Sequence, residues 1–451
     1  MLPTSPDYYL LLAAAFFAFW LVRSKQTPAL VVVLAVNLFC YAKWGLIYLL
    51  LAPAAATCDF FLVRQMANRS GGVRRVLVLL SLTINIGLIA FCRVMPSQGL
   101  VLPLSLSFYA FQALTYTLDV YRKDSKPVAS YLGYLTSVTF FPTIVAGPIT
   151  RVTSLVPQWN WKGKVLSAEE GSRALFLIGL GLAKKFLVAD YLATNLVNRV
   201  FDLPTLYSGG EVASAVYGYA FQLYYDFSGY SDVAIGSALL LGIRLPPNFQ
   251  LPYLATNIAD FWRRWHISFS NWLRDYLYFA LPGPRTRVMP YLNLVITMVI
   301  GGLWHGISWN FVVWGLLHGS ALAVFRLWQV WKKDMPKSDS LAGRVAGRLL
   351  TFHVVLLAWV FFRAATVETA VSILRQLVSG HYSFDNVTPV FAGVLLLAAV
   401  AHFVPAKWFE TGVVWFGRTP AVLQAAALAL LVMAIRFVST SGAAPFIYSK
   451  F

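Results

Sequence analysis

Long apolar runs separated by short polar segments cover most of the chain, and several approach the roughly 20 residues that cross a bilayer as a helix. No low-complexity linker divides them, so we predict one membrane domain over residues 1–451. It should be an all-α polytopic protein of about eleven to thirteen helices. The predicted helices are 8–22, 28–57 (two short ones), 75–95, 101–121, 131–147, 172–192, 211–243 (broken), 289–312, 311–330, 349–364, 388–405 and 420–437.

The longest charge-free stretch contains a histidine near its centre. Between Arg287 and Arg326 lie 38 residues without Lys, Arg, Asp or Glu, and His305 falls in "GGLWHGISWN". A single helix of that length would measure about 57 Å, whereas the hydrocarbon core is about 30 Å thick. The stretch must therefore tilt strongly, bend or break, and its glycines favour a break. Because irregular backbone at membrane depth must be covered by protein or line a cavity, we expect His305 to line an internal cavity.

Two further segments place polar side chains among aromatic ones. In "FQLYYDFSGYSDVAIG", Asp226 and Asp232 lie in an apolar setting, where they either polarise a histidine or bind water, or make a helix-to-helix hydrogen bond. The segment 257–278 carries aromatic residues at three- and four-residue spacing, which predicts an amphipathic helix at the membrane surface. It also contains Arg263, Arg264 and His266.

Composition agrees with a membrane protein, since 59% of residues are hydrophobic and only 12% are charged. The net charge of +18 would suggest nucleic acid in a soluble chain. Here the basic residues collect between apolar runs, as in cytoplasmic loops, so lipid headgroups rather than nucleic acid are the expected partners. The three cysteines form no metal-binding pattern with histidine, and we expect neither a metal nor a bound cofactor.

Several motifs together resemble those of a known family. They are "PLSLSFYAFQALTYTLDVYR" (103–122), "FFPTIVAGPITR" (140–151), "GLAKKFLVADYLA" (181–193), "YDFSGYSDVAIG" (225–236), "FWRRWHISFSNWLRDYLY" (261–278), "GGLWHGISWNFVVWGLLHG" (301–319), "WVFFRA" (359–364) and "APFIY" (444–448). In this order they resemble the membrane-bound O-acyltransferases, in the branch typified by the alginate O-acetylation membrane protein. The family's invariant histidine falls on His305, and its second polar position falls on His266.

The resemblance implies a ring of helices around a central tunnel, with residues 261–319 as the catalytic core. It implies a multi-pass protein of the bacterial inner membrane, with acetyl-CoA as a co-substrate that enters from the cytoplasm. It also implies a periplasmic SGNH-hydrolase-like acetylation protein as partner. The expected acceptor is an exported polysaccharide such as alginate, cellulose, another exopolysaccharide or peptidoglycan.

Acyl transfer from a thioester to an alcohol needs a base and a donor for the oxyanion. A neutral, buried histidine suits the base role, which we assign to His305. His266 would orient the donor, relay protons or hold the acceptor. His318, on the charge-free stretch, is expected to be structural.

Five further residues are candidates for lesser roles. Trp304, Trp309 and Asn310 flank His305, and Trp309 at i+4 would pack over its imidazole. Arg263 and Arg264 would meet the phosphates of the donor, although lipid phosphate is an equally suitable partner.

Two other functions fit the same residues. In the D-alanyl branch of the family, a carrier-protein thioester replaces acetyl-CoA and a cell-envelope polymer accepts the group. A transporter or proton-coupled channel would use His305, Asp226 and Asp232 as a relay, without thioester cleavage.

Overall fold

The computed structural model describes residues 5–94, 104–144, 147–161, 165–283, 286–332 and 340–438. These residues form α-helices, loops and short 3₁₀ or π-helical turns, and no strand occurs among them. The tail motif 444–448 and residues 95, 101–103 and 145–146 of three predicted helices lie outside the described residues. The α-helices are α1 (Pro6–Val22), α2 (Gln26–Ala42), α3 (Leu46–Ala67), α4 (Gly71–Val94), α5 (Leu104–Arg122), α6 (Tyr131–Val138), α7 (Phe141–Ile144), α8 (Val152–Leu155), α9 (Ala168–Ala183), α10 (Asp190–Leu192), α11 (Asn198–Asp202), α12 (Gly209–Leu240), α13 (Ile258–Arg264), α14 (Ile267–Trp272), α15 (Met289–His305), α16 (Trp309–Trp331), α17 (Leu341–Arg363), α18 (Val367–Leu377), α19 (Pro389–His402), α20 (Ala406–Arg418) and α21 (Ala421–Val438).

Several helices are long and apolar enough to cross a membrane. Among the described residues, five helices satisfy both criteria, and the pair α19 and α20 counts as a sixth if it forms one bent span. Three shorter apolar helices, α1, α2 and α15, have 17 residues each. The all-α multi-pass architecture is therefore confirmed, while the number of spans stays a prediction. Of the remaining helices, α18 is amphipathic, because Ala370 and Ile373 are buried while Glu368 and Arg375 are exposed.

The described chain divides into two compact units, so a single membrane domain stays a prediction. The first unit comprises the described residues of Met1–Gly181, Tyr230–Pro247 and Val413–Pro420. Its core is formed by apolar and tyrosine side chains of α2 to α8. A buried polar network crosses this core: Ser81 Oγ donates to Asp59 Oδ1 at 2.6 Å, and Asn85 Nδ2 donates to Asp59 Oδ2 at 2.8 Å.

The second unit comprises the described residues of Leu182–Gly229, Asn248–Gly412 and Ala421–Phe451. The charge-free stretch lies in it as a hairpin of α15 and α16, so the predicted break is confirmed. Glycines let the two helices approach closely. A Cβ at Gly315 would lie 2.6 Å from the carbonyl oxygen of Met298, and one at Gly319 would lie 2.6 Å from Cα of Val295.

The prediction of a broken helix over 211–243 is wrong. α12 runs without interruption for 32 residues, with Gly229 and Gly236 inside it. At Gly236 the missing side chain serves packing rather than bending. A Cβ there would lie 2.6 Å from the carbonyl oxygen of Ala174 on α9.

Candidate active site

His305 is the last residue of α15, and a short extended segment separates it from α16. Gly306 follows with φ −178° and ψ 147°, and this extended backbone ends the helix. A Cβ at Gly306 would collide with the ring of Phe311, so only glycine fits beside that ring. The helix end thus holds His305 at a fixed place, and the residue is only 4% exposed.

The surroundings of the His305 imidazole are aromatic. Among the described residues, the rings with centroids within 6.0 Å of it include Trp304 at 4.6 Å, Phe362 at 5.0 Å, Trp314 at 5.4 Å, Phe269 at 6.0 Å and Phe311 at 6.0 Å. These rings come from α14, α15, α16 and α17, so four helices of the second unit contribute to one cluster. Apolar walls of this kind disfavour a charged imidazolium.

His266 lies at the junction of α13 and α14, in a left-handed backbone conformation with φ 41° and ψ 56°. Its Nδ1 is 3.1 Å from Oδ1 of Asn248. The ring of Phe227 lies 4.6 Å away in a T-shaped contact, and that of Phe269 lies 5.0 Å away and stacked. Burial lowers the pKa of His266 to about 3, so this imidazole is neutral at physiological pH.

The prediction of one amphipathic surface helix over 257–278 is wrong. The helix is interrupted at Trp265 and His266, because the backbone there forms hydrogen bonds with an upstream loop. The Gln250 amide donates to the Arg264 carbonyl at 2.9 Å, and the Ile267 amide donates to the Asn248 carbonyl at 2.9 Å. The aromatic residues of this segment are mostly buried, with Trp265 at 1% exposure.

One ring connects the two histidines. The centroid of Phe269 is 5.0 Å from that of His266 and 6.0 Å from that of His305. The structure therefore brings the two predicted catalytic residues into one buried cluster of the second unit. The imidazole rings of both histidines contact Phe269, so this ring lies between them.

Asp226 takes part in a buried ionic cluster. Lys185 Nζ lies 2.7 Å from Oδ1 of Asp190 and 2.7 Å from Oδ1 of Asp226, and the lysine side chain is 3% exposed. Lys185 and Asp190 are five residues apart, a spacing that the π-helical turn Lys184–Ala189 brings together. These contacts favour the interpretation that Asp226 links helices, over the one in which it polarises a histidine or binds water. Asp232 belongs to the first unit, where it is half-buried.

The three residues beside His305 have different positions. Trp304 packs on His305 and also on Phe269, at a centroid distance of 4.7 Å. Asn310 is buried, and its Nδ2 donates to the carbonyl of Ala364 at 2.6 Å, which ties the start of α16 to the end of α17. Trp309 is 75% exposed, so the predicted packing over the imidazole is wrong. The i+4 geometry assumed a continuous helix, whereas α15 ends at His305.

Arg263 and Arg264 both contact Asp260. Arg263 Nη2 lies 3.3 Å from Oδ1 of Asp260, and Arg264 Nε lies 3.0 Å from Oδ2. The Arg263 side chain is 68% exposed and that of Arg264 is 31% exposed. These arginines therefore present cationic groups at the end of α13, where an anion can reach the more exposed one.

His318 is fully buried among aromatic rings. Trp314 lies 4.8 Å from it, Trp262 5.0 Å and Trp359 5.9 Å. Trp314 is also a neighbour of His305, so one indole separates the two imidazoles of the hairpin. These contacts agree with the structural role expected for His318.

Sequence reasoning missed Asn248, Lys185 and Phe362. Lys185 carries the signal already applied to the aspartates, an ionisable side chain in an apolar run. Phe362 lies in the quoted motif "WVFFRA", but no spacing rule relates it to His305. Asn248 lies in a loop with no regular pattern, and only the fold places it against His266.

Comparison with known proteins gives consistent matches. The model of the MBOAT, membrane-bound O-acyltransferase family, matches residues 17–364, which include both histidines. The peptidoglycan O-acetyltransferase of Helicobacter pylori is 34% identical over 79% of this chain and 75% of its own length. The probable alginate O-acetylase AlgI of Pseudomonas aeruginosa is 32% identical over 88% of this chain and 80% of its own. The teichoic acid D-alanyltransferase of Streptococcus thermophilus is 29% identical over 59% of this chain and 69% of its own.

These matches confirm the resemblance drawn from the motifs. The family match covers most of the chain, and the two O-acetylating relatives align over most of it as well. The aligned region contains the hairpin of α15 and α16 and the junction that carries His266. The chain therefore belongs to the membrane-bound O-acyltransferase family, in the branch of the alginate O-acetylases, and is a multi-pass acyltransferase.

Proposed function

We propose that the protein moves an acetyl group from cytoplasmic acetyl-CoA across the bacterial inner membrane, toward hydroxyl groups of an exported polysaccharide such as alginate or a cellulose-like polymer. A periplasmic SGNH-hydrolase-like acetylation protein receives the group and completes the transfer. Relatives named for O-acetylation of peptidoglycan and alginate support the acetyl group and the polysaccharide acceptor. The observation that carries the proposal is the pair of buried histidines, His266 and His305, against the shared ring of Phe269.

In this proposal His305 is the general base. Its neutral imidazole takes the proton of the acceptor hydroxyl as that oxygen bonds to the carbonyl carbon of the thioester. The carbon–sulfur bond then breaks, and the proton passes to the sulfur, so that coenzyme A leaves as the thiol. The aromatic rings around His305 limit access of water, which would otherwise compete as the nucleophile.

His266 is the second participating group and relays protons within the cluster. It is 1% exposed and lies against Phe269, the ring that also contacts His305. A neutral imidazole both accepts and donates a proton, through different nitrogens, which is what a relay requires. The supporting observation is the contact of both histidines with the same phenylalanine.

Arg263 is the candidate for the phosphates of coenzyme A, because its guanidinium is the more exposed of the two at the end of α13. Replacing it by alanine should raise the KM for acetyl-CoA and leave kcat nearly unchanged. Since lipid phosphate would compete for the same group, the assay uses nanodiscs of zwitterionic lipid. An unchanged KM would assign Arg263 to the lipid surface instead.

The proposal is tested with purified protein in nanodiscs. Acetyl-CoA is supplied, with and without the periplasmic acetylation protein, and release of the free thiol is followed. His305→Ala should abolish thiol release while the protein remains folded. His381→Ala is the matched control, because His381 is an exposed histidine in a loop after α18 and should leave turnover unchanged. Equal turnover by wild type and His305→Ala would remove the catalytic role of His305.

D-alanyl transfer is the second candidate, and the similarity to a teichoic acid D-alanyltransferase is the observation that favours it. In that case a D-alanyl carrier-protein thioester would be consumed and acetyl-CoA would not. The same nanodisc assay with both donors separates the two functions. Because the chain is an acyltransferase, the transporter interpretation is set aside.

A further inference from the structure

Asn248 binds the backbone that directly follows His266 in the chain. It lies in the loop after α12 and is 1% exposed. Its carbonyl oxygen accepts from the amide of Ile267 at 2.9 Å, and its side-chain Oδ1 accepts from the amide of Ser268 at 3.3 Å. Two successive amides after His266 are therefore bound to one residue. These bonds stabilise the left-handed backbone conformation of His266, which residues other than glycine rarely adopt.

The side chain of Asn248 also determines which nitrogen of His266 carries the proton. The amide of Ser268 can only donate, so the Asn248 atom that faces it must be the carbonyl oxygen and not the amino group. Ser268 Oγ donates to the same oxygen at 2.9 Å. The amide carbonyl oxygen of Asn248 carries no hydrogen and can only accept, so Nδ1 of His266, 3.1 Å away, must carry the hydrogen. The orientation of the amide thus follows from Ser268 independently of the histidine.

The imidazole has little freedom to adopt another arrangement. Phe269 stacks on it at 5.0 Å with an interplanar angle of 27°, and Phe227 meets it at 4.6 Å with an angle of 81°. A flip of the ring would exchange Nδ1 for a carbon and break the bond to Asn248. Since the neutral imidazole has one protonated nitrogen, fixing Nδ1–H leaves the lone pair on Nε2.

We propose that Asn248 is a positioning residue that holds His266 as the Nδ1–H tautomer and makes Nε2 the nitrogen that accepts a proton during acyl transfer. This inference rests on the proposed function, in which His266 relays protons. Asn248 would affect the reaction through His266, because its side-chain oxygen lies against Nδ1 of the histidine. The wrong tautomer would direct a hydrogen where the reaction needs a lone pair.

The direct test is the tautomer itself. The protein is labelled with ¹⁵N-histidine, placed in nanodiscs and measured by solid-state NMR, and the His266 signals are identified by their loss in His266→Gln. Wild type should show one protonated nitrogen at Nδ1 and a bare Nε2. Asn248→Ala should lose this pattern and show Nε2–H or a mixture. A wild-type signal from Nε2–H would overturn the inference, whatever the activity.

Turnover supplies the second readout, with two variants that separate positioning from folding. Asn248→Ala should reduce thiol release by about 100-fold, the lower end of what proton transfer by a positioned side chain contributes. Asn248→Asp keeps an oxygen acceptor and should recover most of that loss. Ser268→Ala removes another hydrogen bond to the same oxygen and should leave both the tautomer and the turnover unchanged.

The outcomes distinguish this inference from the proposed function. If Asn248→Ala is folded and fully active, or if Asn248→Asp gives no recovery, Asn248 is not a positioning residue. If His266→Gln retains wild-type turnover, the relay role of His266 fails instead, and the Nδ1–H signal would then describe a purely structural bond. Should Asn248→Ala fail to fold, the wild-type spectrum and the Asn248→Asp and Ser268→Ala variants still decide the question.

Discussion

The interiors of the two units bury ionisable side chains in contrasting surroundings. In the first unit, both carboxylate oxygens of Asp59 accept hydrogen bonds from α4. In the second, aromatic side chains from α14, α15, α16 and α17 lie around His305. A carboxylate whose two oxygens are satisfied acts as a tie between helices, whereas aromatic walls keep an imidazole neutral and shielded from water. Asp59 and His305 are therefore both buried but differ in their neighbours, which are hydrogen-bond donors for the carboxylate and aromatic rings for the imidazole.

The largest expected effect is on turnover at His305. His305→Gln keeps a polar side chain of similar size but removes the imidazole that takes the proton in the proposed reaction. Thiol release from acetyl-CoA should fall by about 10³-fold, within the range that general base catalysis contributes. The thermal midpoint in detergent should stay close to that of wild type. A variant that keeps its activity but unfolds at a much lower temperature would place His305 in the same class as Asp59.

The next effect is on stability, at the ionic cluster of the second unit. Lys185→Met leaves Asp190 and Asp226 as buried carboxylates without their lysine, which should cost about 3 kcal/mol of unfolding free energy. Unfolding in detergent with increasing denaturant measures the change. Lys184→Met is the control, because Lys184 is next to Lys185 in the chain but is only half-buried, so its loss should matter less. Equal losses of unfolding free energy in the two variants would show that the ionic cluster does not stabilise the protein specifically.

A smaller loss of stability is expected in the first unit. Asp59→Ala leaves the hydroxyl of Ser81 and the amide of Asn85 without their acceptor, at a cost of about 2 kcal/mol. Turnover per folded molecule should not change. Circular dichroism melts and the thiol-release assay are run on the same preparation. A fall in specific turnover without a fall in the midpoint would contradict the comparison.

The smallest effect should be a loss of turnover of about tenfold in Phe269→Leu, equivalent to about 1.4 kcal/mol of barrier. The substitution removes the ring that contacts both histidines. Phe311→Leu is the matched control, since Phe311 also lies 6.0 Å from His305 but belongs to α16. Its loss of turnover should be smaller. The reverse order would mean that the shared contact has no part in the reaction.

Much of the fold could be predicted from local pattern. The length of the 38-residue charge-free stretch required a strong tilt, a bend or a break, and its glycines favoured the break that lies next to His305. The bend predicted in α12 was wrong, because Gly236 meets the backbone of Ala174 on another helix, and sequence spacing does not report such an approach. A glycine inside a helix can therefore mark either a bend or a close approach of another helix, and only the packing of the folded protein distinguishes the two.

For the candidate site, the sequence motifs supplied the residues, but sequence periodicity missed their geometry. The motifs placed both histidines, but periodicity assumed that helices continue. The helices do not continue before Trp309 or across 257–278. α15 ends at His305, and the helix in the second segment is interrupted at His266. The bonds that cause the second break come from Asn248 and Gln250, in a loop without periodic signal. Contacts between segments distant in sequence decide these details.

The origin of the rings around His305 has a consequence for how the protein is made. Phe269 precedes the hairpin in the chain, Phe311 and Trp314 belong to its second helix, and Phe362 lies at the end of α17. During synthesis, the hairpin can insert as one apolar pair while the imidazole still lacks the last ring beside it. The site is complete only after α17 has left the ribosome and packed. A nascent chain stopped before Phe362 would therefore contain both histidines but an incomplete candidate site.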